Sequence, residues 1–357
     1  MKKKLLILFV MFVVMCFSVL FAQELRPVRD DIGFCWQAGQ IERLVDYLKT
    51  SFPDKEDPGR MPALIAGISP HDDYLYAGRV YYPLFKRIKA KEVVIFGVTH
   101  STVRKKIGDP QDRLIFDEYK FWRGPYKNIE ISPLREFLKK KLDKNRCIVS
   151  NEAHRLEHSI EAMLPFLQYY NRDVKITPVM VTGMNFENMQ YLAAELATHI
   201  AAYIKENHLE IGKDIFFLIS ADANHYGKAF DNTAFGEDES AHQLATGSDR
   251  KIAAMFLSGE ISEKKPAGLT EQLWGKTYKH YGDRVWCGKF SIPFGMLTVL
   301  SIVEKTAPGK TLTGKILLYS DTYSEGVLPL KKPGYGITAP FSLKHWVGFF
   351  SAGYFLE

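Results

Sequence analysis

The chain has 357 residues, 46% of them hydrophobic and 25% charged, with a formal net charge of +6. That composition excludes a disordered or fibrous protein and allows a substantial core, in one large domain or two smaller ones. Leaving out Lys2, Lys3 and Lys4, which belong to a removable leader, lowers the charge to +3, too little and too dispersed to argue for a nucleic-acid partner.

Residues 1–22 join those lysines to an apolar run from Leu5 to about Phe21 and a small residue, Ala22. This reads as a secretory signal peptide cut after Ala22. An uncleaved N-terminal anchor is the alternative, because the run is nearly long enough to span a bilayer. Either reading makes 23–357 an exported domain, periplasmic or extracellular, with a membrane attachment only if the segment is kept. Met15 is too bulky for a lipid-attachment site at Cys16. Cys35, Cys147 and Cys287 follow, an odd count that leaves at least one thiol free or metal-bound. Spacing does not say whether Cys35 and Cys147 pair.

The spacing predicts a helix over about Gln40 to Lys49, a Pro/Asp/Gly-rich loop over Pro53–Gly59, and strands at Ala63–Ser69 and Val93–Val98. Between those strands Val80, Leu84 and Ile88 stand four apart, predicting a helix over Gly78–Lys89. A strand, helix, strand unit implies a parallel pair with a right-handed crossover. Residues 101–130 read as an excursion over the sheet edge. Helices are predicted at Ser132–Leu142, with a Ser cap and Pro133 in the first turn, and at Ser159–Tyr170, kinked at Pro165. A strand at Lys175–Val181, a helix at Phe186–Glu206 and an apolar strand at Ile215–Ser220 come next. Helices near Ser240–Leu257, Leu269–Tyr281 and Pro293–Lys305 follow, then strands at Lys315–Ser320, Tyr335–Thr338 and His345–Phe355. With no repeat, low-complexity tract or long linker, the expectation is a single α/β domain with a mainly parallel or mixed central sheet flanked by helices.

Three of the ten histidines directly follow buried-strand patterns. They are His71 in Pro70-His71-Asp72-Asp73, His100 after Thr99, and His225 in Asp222-Ala223-Asn224-His225. Side chains there point into the crevice above an α/β sheet. His154, His199, His208, His242, His280 and His345 read as surface or structural. Imidazoles brought together need a further group to complete a metal site with an open position. Asp72, Asp73, Asp222, Glu157, Glu161 and the Cys287 thiol are all available, and spacing does not choose among them. Glu157-His158-Ser159-Ile160-Glu161 can equally cap a helix start, and Asp72 can be part of a solvated turn. The chain lacks a Gly-rich phosphate loop, a G-x-S-x-G elbow and a CxxC motif.

Five motifs in order carry a family resemblance over about residues 62–321. They are Pro70-His71-x-x-Tyr74 with Tyr76-x-Gly78, Gly97-x-x-His100-Ser101, Glu157-His158-Ser159-Ile160-Glu161-x-x-Leu164-Pro165, Ser220-x-Asp222-x-x-His225-x-Gly227, and Cys287-Gly288. The chain resembles the Memo-like family, whose bacterial and archaeal members are called AmmeMemoRadiSam system protein B. That family is similar in fold to class III, LigB-type, non-haem iron extradiol dioxygenases. The resemblance implies one transition metal ion, iron(II) or copper, held by His71, His100 and Cys287. It also implies an acid/base role for His225, with His158 and Asp222 lining the pocket. A dioxygenase-like oxidoreductase acting on a small substrate follows, although a thiolate in place of the dioxygenases' carboxylate argues against ordinary ring cleavage. The alternative is a non-catalytic module holding a peptide or small ligand, with Tyr74, Tyr76, Tyr81, Tyr82, Phe121, Trp122 and Trp286 lining a groove. The chain departs from the common pattern at Asp72-Asp73, where Ala-Gly is usual, and at Asn224-His225-Tyr226, where Cys-His-Trp is usual. Its export signal departs from a mostly cytosolic family.

Overall fold

The computed structural model describes residues 24–52 and 62–357; residues 1–22, read above as a leader, and the whole Pro/Asp/Gly-rich loop Pro53–Gly59 lie outside them. The first half comprises β1 (Leu25–Arg26), α1 (Ala38–Ser51), β2 (Leu64–Ser69), α2 (Tyr74–Phe85), β3 (Glu92–Val98), α3 (Ser101–Lys106), β4 (Leu114–Phe116), β5 (Phe121–Trp122), β6 (Ile129–Ile131), α4 (Pro133–Lys141), β7 (Cys147–Val149), α5 (Asn151–Leu156) and α6 (Leu164–Tyr170). The second half comprises β8 (Lys175–Val181), α7 (Phe186–Glu206), β9 (Ile215–Ser220), β10 (His225–Gly227), α8 (Glu239–Leu257), β11 (Gly259–Glu260), α9 (Lys264–Leu273), α10 (Ser291–Thr306), β12 (Leu312–Asp321) and β13 (His345–Leu356).

The strands form one mixed sheet in the order β1-β5-β6-β8-β3-β9-β2-β13-β12-β11, with β4 beside β8 and β7, and β10 on β13. Its centre, β8-β3-β9-β2, is parallel, and β13 and β12 add antiparallel to it. Side chains alternate faces along a strand. Val94, Phe96, Phe217 and Ile219 therefore enter one core with α7 and α10, while Val93, Ile95, Phe216 and Leu218 enter the other with α1, α2 and α6. A sheet covered on both faces needs strands apolar on both faces, which is why β9 reads as an unbroken run. The single α/β domain anticipated from the sequence is what the chain forms.

β2 and β3 are parallel but not neighbours, because β9 pairs with both and separates them. The consequence is functional: the strand ends carrying His71, His100 and the Asp222–His225 turn lie side by side.

Several boundaries differ from expectation. Helix α2 begins at Tyr74, not Gly78. Residues 159–170 do not form one helix; a 3-10 turn at Glu161–Met163 precedes α6, whose first turn holds Pro165. A proline there blocks no helical hydrogen bond, so it opens the helix and kinks nothing. Helix α9 ends at Leu273 and does not reach Tyr281. The chain doubles back so that Trp274 bridges Tyr281, and a Cβ on Gly275 would come within 2.5 Å of the Tyr281 carbonyl. Tyr335–Thr338 is irregular; its Gly336 and Thr338 amides bond to Ile32 and Asp73, not to a sheet neighbour. By contrast the Ser132 cap accepts from the Leu134 amide at 3.0 Å with Pro133 beside it, as the sequence indicates. Cys35 and Cys147 are free thiols, buried in opposite cores. No helix among the described residues is long and apolar enough to cross a membrane.

Candidate metal centre

The carboxyl ends of β2, β3 and β9 open into a cleft of about 620 Å³. His71 follows β2 and is 2% exposed. Its backbone amide donates to Asp222 Oδ1 at 2.9 Å, which ties the β2 exit to the β9 exit. Its Nδ1 lies 2.8 Å from Ser220 Oγ. The Ser220 hydroxyl spends its only proton on the Ser159 carbonyl at 2.7 Å. It must therefore accept from His71 Nδ1–H, which leaves the lone pair on Nε2. That Nε2 is 3.4 Å from Cys287 Sγ and 3.2 Å from Asp222 Oδ2.

His100 ends β3 and starts α3. Its Nδ1 lies 2.8 Å from Glu157 Oε1, and its amide donates to Glu157 Oε2 at 3.0 Å. Burial alone would raise the Glu157 carboxyl, but the charge and hydrogen bonds of His100 outweigh it and hold it well below the usual range. An ionised carboxylate only accepts, so His100 Nδ1 carries a proton. Burial disfavours the imidazolium, but Glu157 outweighs it and raises the imidazole, which offers an Nε2 lone pair once the second proton is displaced, as by a cation. Both imidazoles are thus oriented by the partner of their other nitrogen, as in built metal sites.

Cys287 arrives from the far end of the chain. The Trp286 indole is fully buried and donates to Asp249 Oδ1 at 2.9 Å, while the His225 amide donates to the Val285 carbonyl at 2.9 Å. A Cβ on Gly288 would fall 2.3 Å from that of Ala221, so only glycine lets this turn sit against the β9 exit. The Asp222 amide donates to Cys287 Sγ at 3.1 Å. Burial, and then the Asp222 charge, push the thiol up; a bound cation reverses that and deprotonates it.

One nitrogen of His71, one of His100 and Cys287 Sγ all lie within 4.8 Å of one another, and so do ligand atoms of Asp222, His225 and Cys287, and of His100, Glu157 and His158. The described residues therefore hold His/Cys/carboxylate groups able to bind a metal ion. His158 stacks on His100 at 4.8 Å and meets His71 edge-on at 5.4 Å. Burial and the neighbouring His100 push His158 down to about 4 and His225 down to about 3. His225 Nε2 is buried without a hydrogen-bond partner, 4.0 Å from Asp222 Oδ2. Burial lifts Asp222 to about 7 although the His71 amide bonds to it.

The remaining candidates take other work. Asp73 is not a solvated turn residue: it is 3% exposed and accepts from the Thr338 amide at 2.5 Å and hydroxyl at 3.1 Å. Asp72 lines the cleft, and its Oδ1 accepts from the Asp73 amide at 2.6 Å. Glu161 pairs with Arg26 and accepts the Arg29 and Asp30 amides, pinning the N-terminal segment. Glu157, open in the sequence between helix cap and site carboxylate, orients His100 and also accepts the His158 and Ser159 amides. Ser220 and Ser159 stand in the quoted motifs, but spacing gives them no role. Of the aromatics proposed to line a groove, none reaches the cleft; Phe34, Phe230, Tyr281 and Phe290 do, along with His345. Lys289 also lines it, 2% exposed and pushed down to about 7 by burial and then by Arg104.

The chain is similar to known proteins over most of its length. The family model described as Memo-like protein matches residues 34–319. A MEMO1 family protein of Methanococcoides burtonii is 34% identical over 46% of this chain and 55% of its own length. Those of Pyrococcus furiosus and Aquifex aeolicus are 29% and 32% identical over 54% and 50% of this chain. These alignments cover 63% and 65% of those relatives, so the chain spans between 55% and 65% of the length of these three relatives.

Proposed function

The chain belongs to the Memo-like family, and from that premise we propose that it binds one redox-active metal ion, iron(II) or copper, through His71 Nε2, His100 Nε2 and Cys287 Sγ. The observation that carries this reading is that a nitrogen of His71, a nitrogen of His100 and Cys287 Sγ lie within 4.8 Å of one another, with His71 Nε2 3.4 Å from Sγ and Nδ1 of each imidazole engaged by Ser220 or Glu157. The donor chemistry fits: a thiolate suits copper(I), and imidazoles suit either ion. When bound, such an ion supplies one-electron and dioxygen chemistry.

The chain's own residues would prepare a small substrate for oxidation. His225, neutral and with Nε2 unpartnered, is placed to accept a proton from a group bound above Asp222. Asp222 holds the His71 amide, and His158 walls the pocket by stacking on His100. The leader at 1–22 supports export, with the ion protecting Cys287 from an oxidising compartment.

Protein purified without chelator should carry about one iron or copper per chain, lost in His71→Ala and in Cys287→Ser. Full occupancy in both variants would sink the assignment. The cleft volume also suits a binding module that turns nothing over. Oxygen uptake with a panel of catechols and thiols separates the readings, since absence of turnover by metal-loaded protein together with tight ligand binding by metal-free protein favours the module.

A further inference from the structure

The charges lining the cleft are segregated. Its acids stand together: Asp72 is affected by the charges of Asp222, Asp73 and Asp30. Each of these four already accepts a backbone amide. Asp231 and Lys228 line the cleft beyond β10, where Lys228 pairs with Glu237 at 3.2 Å; the other two cations come from other elements. Arg104 comes from α3, one turn beyond His100, and Lys289 from the turn that delivers Cys287. Lys289 is 2% exposed, yet its ammonium has a carbonyl, His280 at 3.1 Å, where an acid would be expected. It sits over the Tyr281 ring at 4.0 Å and the Phe290 ring at 5.0 Å. Arg104 Nε is buried without a hydrogen-bond partner among the described residues, and the carboxylate paired with it, Asp109, stands off at 3.8 Å.

Burying a cation without an anion is costly, and placing a second cation near it adds repulsion. An anion from outside the chain would relieve the arrangement and keep Lys289 charged. A guanidinium presents a planar fork and an ammonium a compact charge, both suited to an oxyanion. Tyr281, Phe290 and Val285 line the cleft beside them and provide an apolar wall for the body that carries it.

We propose that Arg104 and Lys289 form a substrate-binding subsite for a carboxylate, so that the cleft takes a small, partly apolar carboxylic acid with its carboxylate on this pair and its other end toward His71, His100 and Cys287. The orientation rests on the metal-centre reading; the carboxylate subsite does not. No covalent step is involved.

The test uses the whole protein and sodium benzoate, with benzamide as the uncharged isostere, followed by ligand-observed NMR and calorimetric titration. Benzoate should bind and benzamide should not, and raising salt should weaken benzoate. Arg104→Gln and Lys289→Gln should each weaken it roughly tenfold, with Lys289→Arg restoring most of the loss. Thermal unfolding of each variant identifies those that still fold, and Lys289→Arg serves where Lys289→Gln does not. Equal binding of benzoate and benzamide, or unchanged benzoate binding in folded Arg104→Gln and Lys289→Gln, overturns the subsite. The His71→Ala variant separates the two readings. Benzoate binding that survives there supports the subsite whatever the wild-type metal content, whereas binding that vanishes there and persists in Arg104→Gln places the carboxylate on the ion and overturns it.

Discussion

Glu157 and Asp249 are both buried carboxylates one step from a proposed ligand, and they are shifted in opposite directions from the usual carboxylate range. Glu157 accepts from His100 Nδ1 and from the amides of His100, His158 and Ser159, all within 3.0 Å. Asp249 accepts from the Trp286 indole and the Tyr319 hydroxyl, each at 2.9 Å. Burial pushes both upward. Glu157 has the His100 imidazole at hydrogen-bond distance, and that interaction holds it well below the usual range, whereas Arg284 acts on Asp249 through its charge alone. Asp249 has mainly neutral donors, and burial lifts it to about 7. The partner, more than the depth, decides whether a buried acid is a charge or a strut. Glu157 is a charge that orients an imidazole, and Asp249 is a strut that seats Trp286 and with it the Cys287 turn.

The sharpest way to break this contrast is Glu157→Gln. Removing one partner from a buried ionic network costs on the order of 3–5 kcal/mol, and losing the group that orients a ligand imidazole should lower metal affinity by roughly 10–100-fold. Denaturant titration and competition against a chelator measure the two, and unchanged affinity would end the orienting role.

The pH dependence separates the same two residues by sign. The depressed Glu157 contributes stability present above its unfolded value of about 4.3, lost as pH falls through its folded value. The native form of Asp249 keeps a proton that the unfolded chain releases above about 3.9, so its contribution falls as pH rises from there to about 7. Asp249→Asn should flatten that decline, on the order of a few kcal/mol at most, and leave metal content unchanged; an unaltered stability profile between those pH values would refute it.

Smaller effects follow from neutral partners. Ser220→Ala strands the buried His71 Nδ1–H, which should cost about 1–3 kcal/mol and weaken metal binding less than Glu157→Gln does. Asp73→Asn loosens the Thr338 segment at the cleft mouth. Its expected cost is about 0.5–1.5 kcal/mol, read as faster proteolysis of residues 325–344 with unfolding little changed.

The strands and helices of the parallel centre are legible because their residues are buried on both faces or on one stripe, so pattern and structure coincide: Lys175–Val181, Phe186–Glu206 and Ile215–Ser220 stand where periodicity puts them. The short edge strands β4 to β7 and the helix α5 have too few residues to show a period. At Leu269–Tyr281 the apolar spacing continues past the point where the chain turns, because Trp274 and Tyr278 pack on the core from a loop. The aromatics from Tyr74 to Tyr82 can line a groove, though such a stripe is more often core, and stacking of Tyr81 on Phe166 at 5.3 Å puts them in the core.

What the sequence determined by itself is the list of chemical groups at the ends of β2, β3 and β9, since a strand's apolar run fixes where it stops and which residue comes next. The tertiary structure alone decided that β9 lies between β2 and β3, that a turn near residue 287 closes on them, and which nitrogen of each imidazole is free. Those choices depend on hydrogen bonds between residues 57 and 149 positions apart, and such contacts leave no trace in local spacing because they exist only when the whole sheet has formed.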